Sequence, residues 1–197
     1  GCFSLYKCAS LAFVKIPSSV KSIGSCAFCE CSSLKEIEIP PSITKIENST
    51  FYGCKSLKII KMPNSVNYIG ESAFYGCSSL VKIEIPSMVT TINENTFCEC
   101  SSLKKIKFLG EIKTIESCAF YGCESLNNFR FSKALETIAD NAFYGCSSIV
   151  SIDLPSSLKS IGVDAFNGCL SLKQIIVPAS IDVKNIGIAS EIKILYH

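Results

Sequence analysis

The sequence predicts a β-rich solenoid of stacked repeats. The prediction rests on two regular spacings and on one pattern of apolar residues. Phenylalanine recurs every 23 residues, at positions 28, 51, 74, 97, 120, 143 and 166, and a cysteine follows each one by three residues. Leu5 and Cys8 take the same two places in a first unit, so eight units are expected. A fixed period of roughly 20–50 residues is typical of solenoids, in which each unit buries its apolar face against its neighbours.

The long strand of each unit is predicted from an alternation of apolar and charged residues. In the unit built on Phe74, residues 80–85 read Leu-Val-Lys-Ile-Glu-Ile, the period-two pattern of a strand with one buried face. Pro86 is expected to end this strand, because proline has no N–H to donate to a ladder. Residues 89–92 are predicted to form a second, short strand on the opposite side of the unit.

A tight turn is expected between the short strand and the next long strand. Residues 71–77 are too few for a free-standing helix. They suffice for one helical or 3₁₀ turn held by the buried side chains of Ala73, Phe74 and Cys77. Each unit is therefore predicted to contain a long strand, a short strand and one short helical or 3₁₀ turn.

The domain organisation follows from the part of the chain over which the 23-residue spacing is kept. Residues 1–178 are predicted to form eight 23-residue repeats, and residues 179–197 a degenerate C-terminal capping repeat. Lys184 falls where an isoleucine belongs, residues 186–187 resemble the usual corner displaced by two places, and residues 191–195 read as a final strand. Such a cap is expected to cover the open core of the last unit.

The repeat pattern Leu-x-x-Ile-x-Ile-Pro-x-x-Val-x-x-Ile-x-x-x-Ala-Phe-x-x-Cys resembles the BspA-like subclass of leucine-rich repeats, over about residues 3–178. The resemblance implies a right-handed solenoid with a parallel sheet on its concave side. It also implies a cell-surface or secreted location, since the family is found in surface-associated proteins of bacteria and parasitic protists that are linked with adhesion and protein binding. It carries over no catalytic residues.

Composition argues against several other classes of protein. Hydrophobic residues make up 48% of the chain and charged residues 18%, and the net charge of +2 gives no reason to expect nucleic acid. No apolar run approaches the roughly 18 residues of a membrane span, and residues 1–6 lack the features of a signal peptide. We expect no enzyme and no cofactor, because the single histidine is the terminal His197 and no glycine-rich phosphate loop occurs.

The thirteen cysteines divide into two groups. Eight form the regular ladder and are expected to be buried free thiols, because side chains stacked about 4.8 Å apart point in parallel rather than toward one another. Five lie outside the ladder and are expected to be more exposed: Cys2, Cys26, Cys29, Cys98 and Cys118. No metal site is expected, because paired CxxC motifs are absent from the sequence.

The concave sheet is the first candidate for ligand binding, because its outward positions vary between units. Lys105, Lys107 and Arg130 are expected to break an alternation of positive and negative charges and to place three positive charges together, where an acidic partner would bind. The full candidate set is Lys82, Glu84, Lys105, Lys107, Asn128 and Arg130. The alternative is a solvated ladder in which neighbouring charges pair with one another.

A register of tyrosines one place after the phenylalanines is the second candidate. Tyrosine offers a large contact area at low entropic cost, which suits recognition. The alternative is that stacked rings stabilise the edge of the solenoid without any ligand. The candidate residues are Tyr52, Tyr75, Tyr121 and Tyr144.

Two functions remain open from the sequence. The first is a recognition module that binds a protein or glycan at a cell surface, including the surface of a host cell. The second is a structural spacer or assembly unit of a larger repeat protein. Leu109 and Ser132 replace the usual proline in units five and six, beside three aromatic residues, Phe108, Phe129 and Phe131. Departures from the repeat that cluster in two units favour a recognition module. In a spacer, the exposed residues of one unit would be interchangeable with those of any other unit.

Overall fold

The computed structural model describes residues 1–127 and 129–197, which form a parallel β-solenoid. Within those residues the strands are, in chain order, β1 (Glu36–Glu38), β2 (Lys45–Ile46), β3 (Ile59–Lys61), β4 (Tyr68–Ile69), β5 (Lys82–Ile85), β6 (Thr91–Ile92), β7 (Lys105–Phe108), β8 (Thr114–Ile115), β9 (Thr137–Ile138), β10 (Ser151–Asp153), β11 (Ser160–Ile161), β12 (Gln174–Val177) and β13 (Lys193–Tyr196).

The strands form two sides of the solenoid. Long strands pair in parallel on one side, β1 with β3, β5 with β7, and β12 with both β10 and β13. Short strands pair on another side, β2 with β4, and β6, β8, β9 and β11 in succession. Glu36 lies opposite Ile59, and Lys82 opposite Lys105, so a 23-residue offset joins neighbouring units. The predicted parallel solenoid is confirmed, and units two to five and unit seven each contain both the long and the short strand.

The third side is built from turns. Backbone N–H groups of alternate residues donate to the next unit: Phe51 to the carbonyl of Ala73 at 2.9 Å, and Gly53 to that of Tyr75 at 2.7 Å. Ser49 and Gly53 both have a positive φ, of 55° and 68°. A left-handed residue on each side of the phenylalanine interrupts right-handed helical geometry. The helical turn expected in each unit stays unconfirmed, because residues 1–127 and 129–197 contain no helix.

The core is a stack of phenylalanine rings flanked by cysteines. Successive rings from Phe28 to Phe166 lie parallel, with centroids 5.1–5.5 Å apart. Beside them, the Cys77 thiol donates to the carbonyl of Phe51 at 3.2 Å, one unit back, and the same bond recurs in six other units. Cysteine therefore supplies a small apolar side chain and an inter-unit hydrogen bond, which explains its regular recurrence.

Burial corrects one expectation about the irregular cysteines. Cys2 is exposed, and Cys26 and Cys118 are half-buried, but Cys29 and Cys98 are buried. Each of these two replaces a tyrosine and is much smaller than the tyrosines of adjacent units, which shield it. Burial raises the pKa of the Cys98 thiol to about 12 and that of Cys29 to about 11. All the cysteines are free thiols in the described structure.

Unit six departs from the others on the long-strand side. Residues 129–131 form no strand, and the Phe129 ring turns inward, edge-on to Phe108, Phe120, Phe131 and Phe143. The phenylalanine-rich segment thus fills core space that an isoleucine and a proline corner occupy elsewhere. The long-strand sheet is interrupted between β7 and β10 as a result.

The last residues cover the final unit with a shortened repeat. Strand β13 pairs with β12, and Gln174 lies opposite Lys193, an offset of 19 residues instead of 23. The N–H of Phe166 donates to the carbonyl of Ile186 at 2.8 Å, as that of Phe143 does to Ala165. Ile186 therefore occupies the turn, at the position of Ala165 one unit earlier, rather than the displaced corner expected from the sequence, and its side chain is buried.

Candidate functional site

The outward side of the long strands β1, β3, β5, β7, β10 and β12 is called the strand face below. Two pairs of opposite charges lie across neighbouring strands on it. Lys61 approaches Glu38 to 3.7 Å, and Lys107 approaches Glu84 to 3.2 Å. All four side chains are well exposed, so each pair contributes about 0.2–1 kcal/mol. Self-pairing accounts for these residues, and Lys107 continues the alternation of charge that it was expected to break.

Three positive charges on the strand face lie outside these pairs. Lys82 and Lys105 lie directly opposite each other on β5 and β7, and both are exposed. Arg130, in the next unit, is also exposed. Within residues 1–127 and 129–197, none of the three has a carboxylate within 4.0 Å. We call Lys82, Lys105 and Arg130 the basic patch. The candidate Asn128 lies outside the described residues.

A groove of about 480 Å³ opens beside the basic patch. Its walls carry the cations of Lys105, Lys107 and Arg130, and its apolar surface comes from Phe108 and Phe131. The irregular unit six forms one wall, because residues 129–131 leave the sheet there. The groove thus combines positive charge with aromatic surface, an arrangement suited to an acidic segment that also carries apolar groups.

A second groove, of about 610 Å³, lies at the other end of the strand face. Phe13 and Ile59 line it with 59% and 44% of their surface exposed, on either side of Glu36. The alternation of the strands places both side chains on the strand face, but neither was among the candidate binding residues chosen from the sequence. They could have been found from the sequence, because the equivalent outward positions of the other units are mostly polar.

The tyrosine register forms two stacked pairs on the turn side. The rings of Tyr52 and Tyr75 are 4.8 Å apart between centroids, and those of Tyr121 and Tyr144 are 4.9 Å apart. Within each pair the stacking favours the stabilising role over ligand binding. The two pairs are separated along the turn side by the unit of Cys98, whose side chain is buried.

The described residues contain no cluster of three or more histidine, cysteine, aspartate or glutamate side chains placed to hold a metal ion. In the same part of the chain, no helix is long and apolar enough to cross a membrane.

Comparison with known proteins finds matches to one repeat family. The family model described as "BspA type Leucine rich repeat region" matches in six copies, over residues 1–127 and 70–190. Comparison with curated proteins yields no match.

Solved structures of leucine-rich repeat proteins are similar to the chain. One from Bacteroides ovatus is 27% identical with a TM-score of 0.67, over 100% of this chain and 63% of that protein. The leucine-rich repeat protein of T. pallidum is 29% identical with a TM-score of 0.67, over 80% of this chain and 76% of that one. A leucine-rich cell surface protein from Faecalibacterium prausnitzii shares the fold, at 24% identity and a TM-score of 0.56, over 100% of this chain and 68% of that one.

Proposed function

Because the chain belongs to the BspA-type leucine-rich repeat family, we propose that it is a non-catalytic recognition module that binds an acidic protein segment or glycan through its strand face. Leucine-rich repeat proteins are generally non-enzymatic scaffolds, and nothing in the described residues or the comparisons shows catalytic activity. The proposal concerns the surface that this scaffold presents.

One observation carries the proposal, namely the like charges of Lys82 and Lys105 on neighbouring strands. Like charges directly opposite each other destabilise a sheet. A sheet with only a structural role would be more stable with opposite charges there, as at Glu84 and Lys107 one position along. An anionic ligand across the basic patch would offset the repulsion and bind beside the aromatic wall of the groove.

The proposed setting is a cell surface, where the module would serve adhesion or ligand binding. The support is the family itself together with the Faecalibacterium prausnitzii neighbour, which is described as a cell surface protein. The partner we favour is an acidic protein segment, because the groove adds aromatic surface from Phe108 and Phe131 to its positive charge.

A structural spacer is the second candidate function. The observation in its favour is the pairing of Lys61 with Glu38 and of Lys107 with Glu84, since such pairs satisfy charges without a ligand. A spacer would bind nothing at the basic patch.

The test is a binding screen of the protein against cell-surface proteins and glycans, repeated with a charge-reversed variant. The variant carries Lys82→Glu, Lys105→Glu and Arg130→Glu. A matched control reverses three exposed lysines elsewhere, Lys21, Lys55 and Lys113, and so has the same net charge.

Binding lost only in the basic-patch variant supports the proposal, and the class of captured partner decides between protein and glycan. Equal binding by both variants would reject the strand face as the site. Absence of any partner for the unmodified protein would favour the spacer.

A further inference from the structure

Unit two carries two cysteines in one turn, outside the regular ladder. We call the place two residues before each phenylalanine the first turn position, and the place one residue after it the second turn position. Serine, asparagine or aspartate occupies the first turn position in five units, and tyrosine occupies the second in five. Unit two is the only unit of the sequence with cysteine at both, as Cys26 and Cys29.

The backbone of the turn holds these two residues close together. The N–H of Cys29 donates to the carbonyl of Cys26 at 3.2 Å, which closes a four-residue turn. The Cα atoms at the two ends of such a turn lie less than about 7 Å apart, and a disulfide joins Cα atoms that are about 4.4–6.8 Å apart. The backbone of unit two is therefore compatible with a disulfide between Cys26 and Cys29.

Unit eight shows that side chains at the two turn positions meet. Asp164 and Asn167 occupy them, and the N–H of Asn167 donates to the carbonyl of Asp164 at 3.1 Å, as in unit two. The side chains then join directly, because Nδ2 of Asn167 donates to Oδ1 of Asp164 at 3.3 Å. Asp164 and Cys26 have the same left-handed backbone, with φ of 53° and 56°. The matching turn of unit two thus directs both thiols to the same side.

The ionisation of Cys29 also indicates that the two thiols are neighbours. Its pKa is raised to about 11, by burial first and by the Cys26 thiol next. A nearby group shifts a pKa by its charge from within about 4–6 Å. Cys26 is half-buried, whereas only 6% of the surface of Cys29 is exposed, so the two thiols differ in their access to solvent.

The ladder cysteines have a different environment. Each ladder thiol from Cys31 onward donates to a carbonyl one unit back, as Cys31 does to Leu5 at 3.1 Å. These thiols point along the stack in parallel, and parallel side chains are poorly placed for a disulfide.

The other irregular cysteines lack a thiol in their own turn. Cys98 has Asn95 at the first turn position, and Cys118 has Tyr121 at the second. Cys118 also raises the pKa of Cys98 across the two units, but it is the smallest of the influences on that thiol. The pair in unit two is therefore the best placed for a reaction between two thiols.

We propose that Cys26 and Cys29 are a site of reversible oxidation, at which a low-molecular-weight disulfide such as oxidised glutathione converts the two thiols into an intramolecular disulfide. The Cys26 thiolate attacks one sulfur of oxidised glutathione, and one glutathione leaves as a thiolate and takes up a proton. The Cys29 thiolate then attacks the Cys26 sulfur of the mixed disulfide, and the second glutathione leaves in the same way. The protein loses two protons and two electrons, and oxidised glutathione gains both as it becomes two molecules of glutathione.

The order of the two attacks follows from burial. Cys26 is the more accessible thiol, so it meets the small disulfide first. Cys29 is a poor first nucleophile, because burial and its raised pKa keep it protonated. Its attack on the neighbouring sulfur is intramolecular and needs no access from solvent. The site lies on the turn side, away from the strand face, so this proposal and the proposed recognition function fail independently.

The experiment treats the folded, reduced protein with oxidised glutathione at about pH 8, where a free thiol is partly ionised. The remaining thiols are then alkylated in denaturant and located by mass spectrometry. The tryptic peptide 22–35 contains Cys26, Cys29 and Cys31. We expect this peptide to lose two hydrogen atoms and to be alkylated at Cys31 alone, and we expect dithiothreitol to reverse the change.

Two serine variants separate the roles of the thiols. Cys26→Ser should abolish modification of Cys29, because the accessible thiol is missing. Cys29→Ser should leave a stable mixed disulfide with glutathione at Cys26, because no second thiol resolves it. Serine occupies the first turn position in units three and four, so Cys26→Ser introduces a residue that this turn already accepts.

A transplanted pair tests the geometry itself. Asn95→Cys gives Cys98 a thiol partner in its own turn, and the φ of Asn95 is 55° against 56° for Cys26. A second disulfide should form in this variant. Asn141→Cys is the matched control, because Asn141 also has a φ of 55° but Tyr144 occupies the second turn position. That variant should gain only a mixed disulfide with glutathione.

The proposal is overturned if both thiols stay free, if Cys26 in the unmodified protein carries only glutathione, or if the disulfide joins Cys29 to Cys31 or Cys98 to Cys118. A disulfide that forms only after unfolding in urea would also overturn it. A folded Asn95→Cys variant, checked by circular dichroism, that forms no second disulfide would contradict the geometry. Should that variant not fold, the two serine variants decide.

Discussion

Removing one ring from the middle of the phenylalanine stack should cost more than removing one from its end. Phe97 is fully buried, and its ring stacks on Phe74 and on Phe120 at 5.4 Å each. Truncation of a buried phenylalanine to alanine costs about 3–5 kcal/mol, and each aromatic pair contributes about 0.5–1.5 kcal/mol beyond area burial. With two pairs lost, we expect Phe97→Ala to lower the free energy of unfolding by about 4–5 kcal/mol.

Phe166 provides the matched comparison, because only one neighbouring ring stacks on it. Phe143 lies 5.5 Å away on one side, and the described residues place no aromatic ring on the other. Phe166→Ala is therefore expected to cost about 1 kcal/mol less than Phe97→Ala. Urea denaturation followed by circular dichroism measures both, with the half-exposed Val163→Ala as a control expected to change stability by less than about 0.5 kcal/mol. Equal losses at both positions, or a larger loss at Phe166, would refute the argument from ring stacking.

Two other predictions concern charge and pH. Lys105→Glu should replace the repulsion from Lys82 by attraction and raise the free energy of unfolding by about 0.5 kcal/mol, measured by thermal denaturation; a destabilised variant would contradict the repulsion. Buried thiols such as Cys98 have a raised pKa, so they retain protons that unfolded thiols lose above pH about 8.5. Stability should be full below that pH and fall as pH rises toward about 12, measured as a lower urea midpoint at pH 10 than at pH 7; an unchanged midpoint would count against this linkage.

The architecture could be predicted from the sequence because, in a solenoid, residues that recur at a fixed spacing are also the residues that pack on one another. A residue that recurs every 23 places must occupy the same place in every unit, so the buried stack from Phe28 to Phe166 and the parallel register both follow. The turn could not be read in this way. Asn95, Asn141 and Asp164 are of the types that adopt a positive φ most readily after glycine, but the same position is Cys26, Ser49, Ser72 or Cys118 in other units, and cysteine and serine give no such signal.

Side-chain partners on the surface were less predictable than the fold. The pairing of Lys107 with Glu84 depends on rotamers and on which strand lies next to which, and the spacing of charges alone left it open. The burial of Cys98 depends on the tyrosines of other units. Because the repeat pattern considers one position at a time, a cysteine at the position of an exposed tyrosine was predicted to be exposed as well. A capping repeat was predicted, but its 19-residue offset was not, because the offset follows from hydrogen bonds made by the last unit.

The phenylalanine stack also makes the units energetically dependent on one another. In a solenoid each unit contacts only its neighbours, and each ring from Phe51 to Phe143 stacks on the ring before it and on the ring after it. The pair formed by Phe97 and Phe120 is lost in either single alanine variant but is lost only once in the double variant. Substitutions in adjacent units should therefore cost less than the sum of their single costs, whereas substitutions several units apart should add.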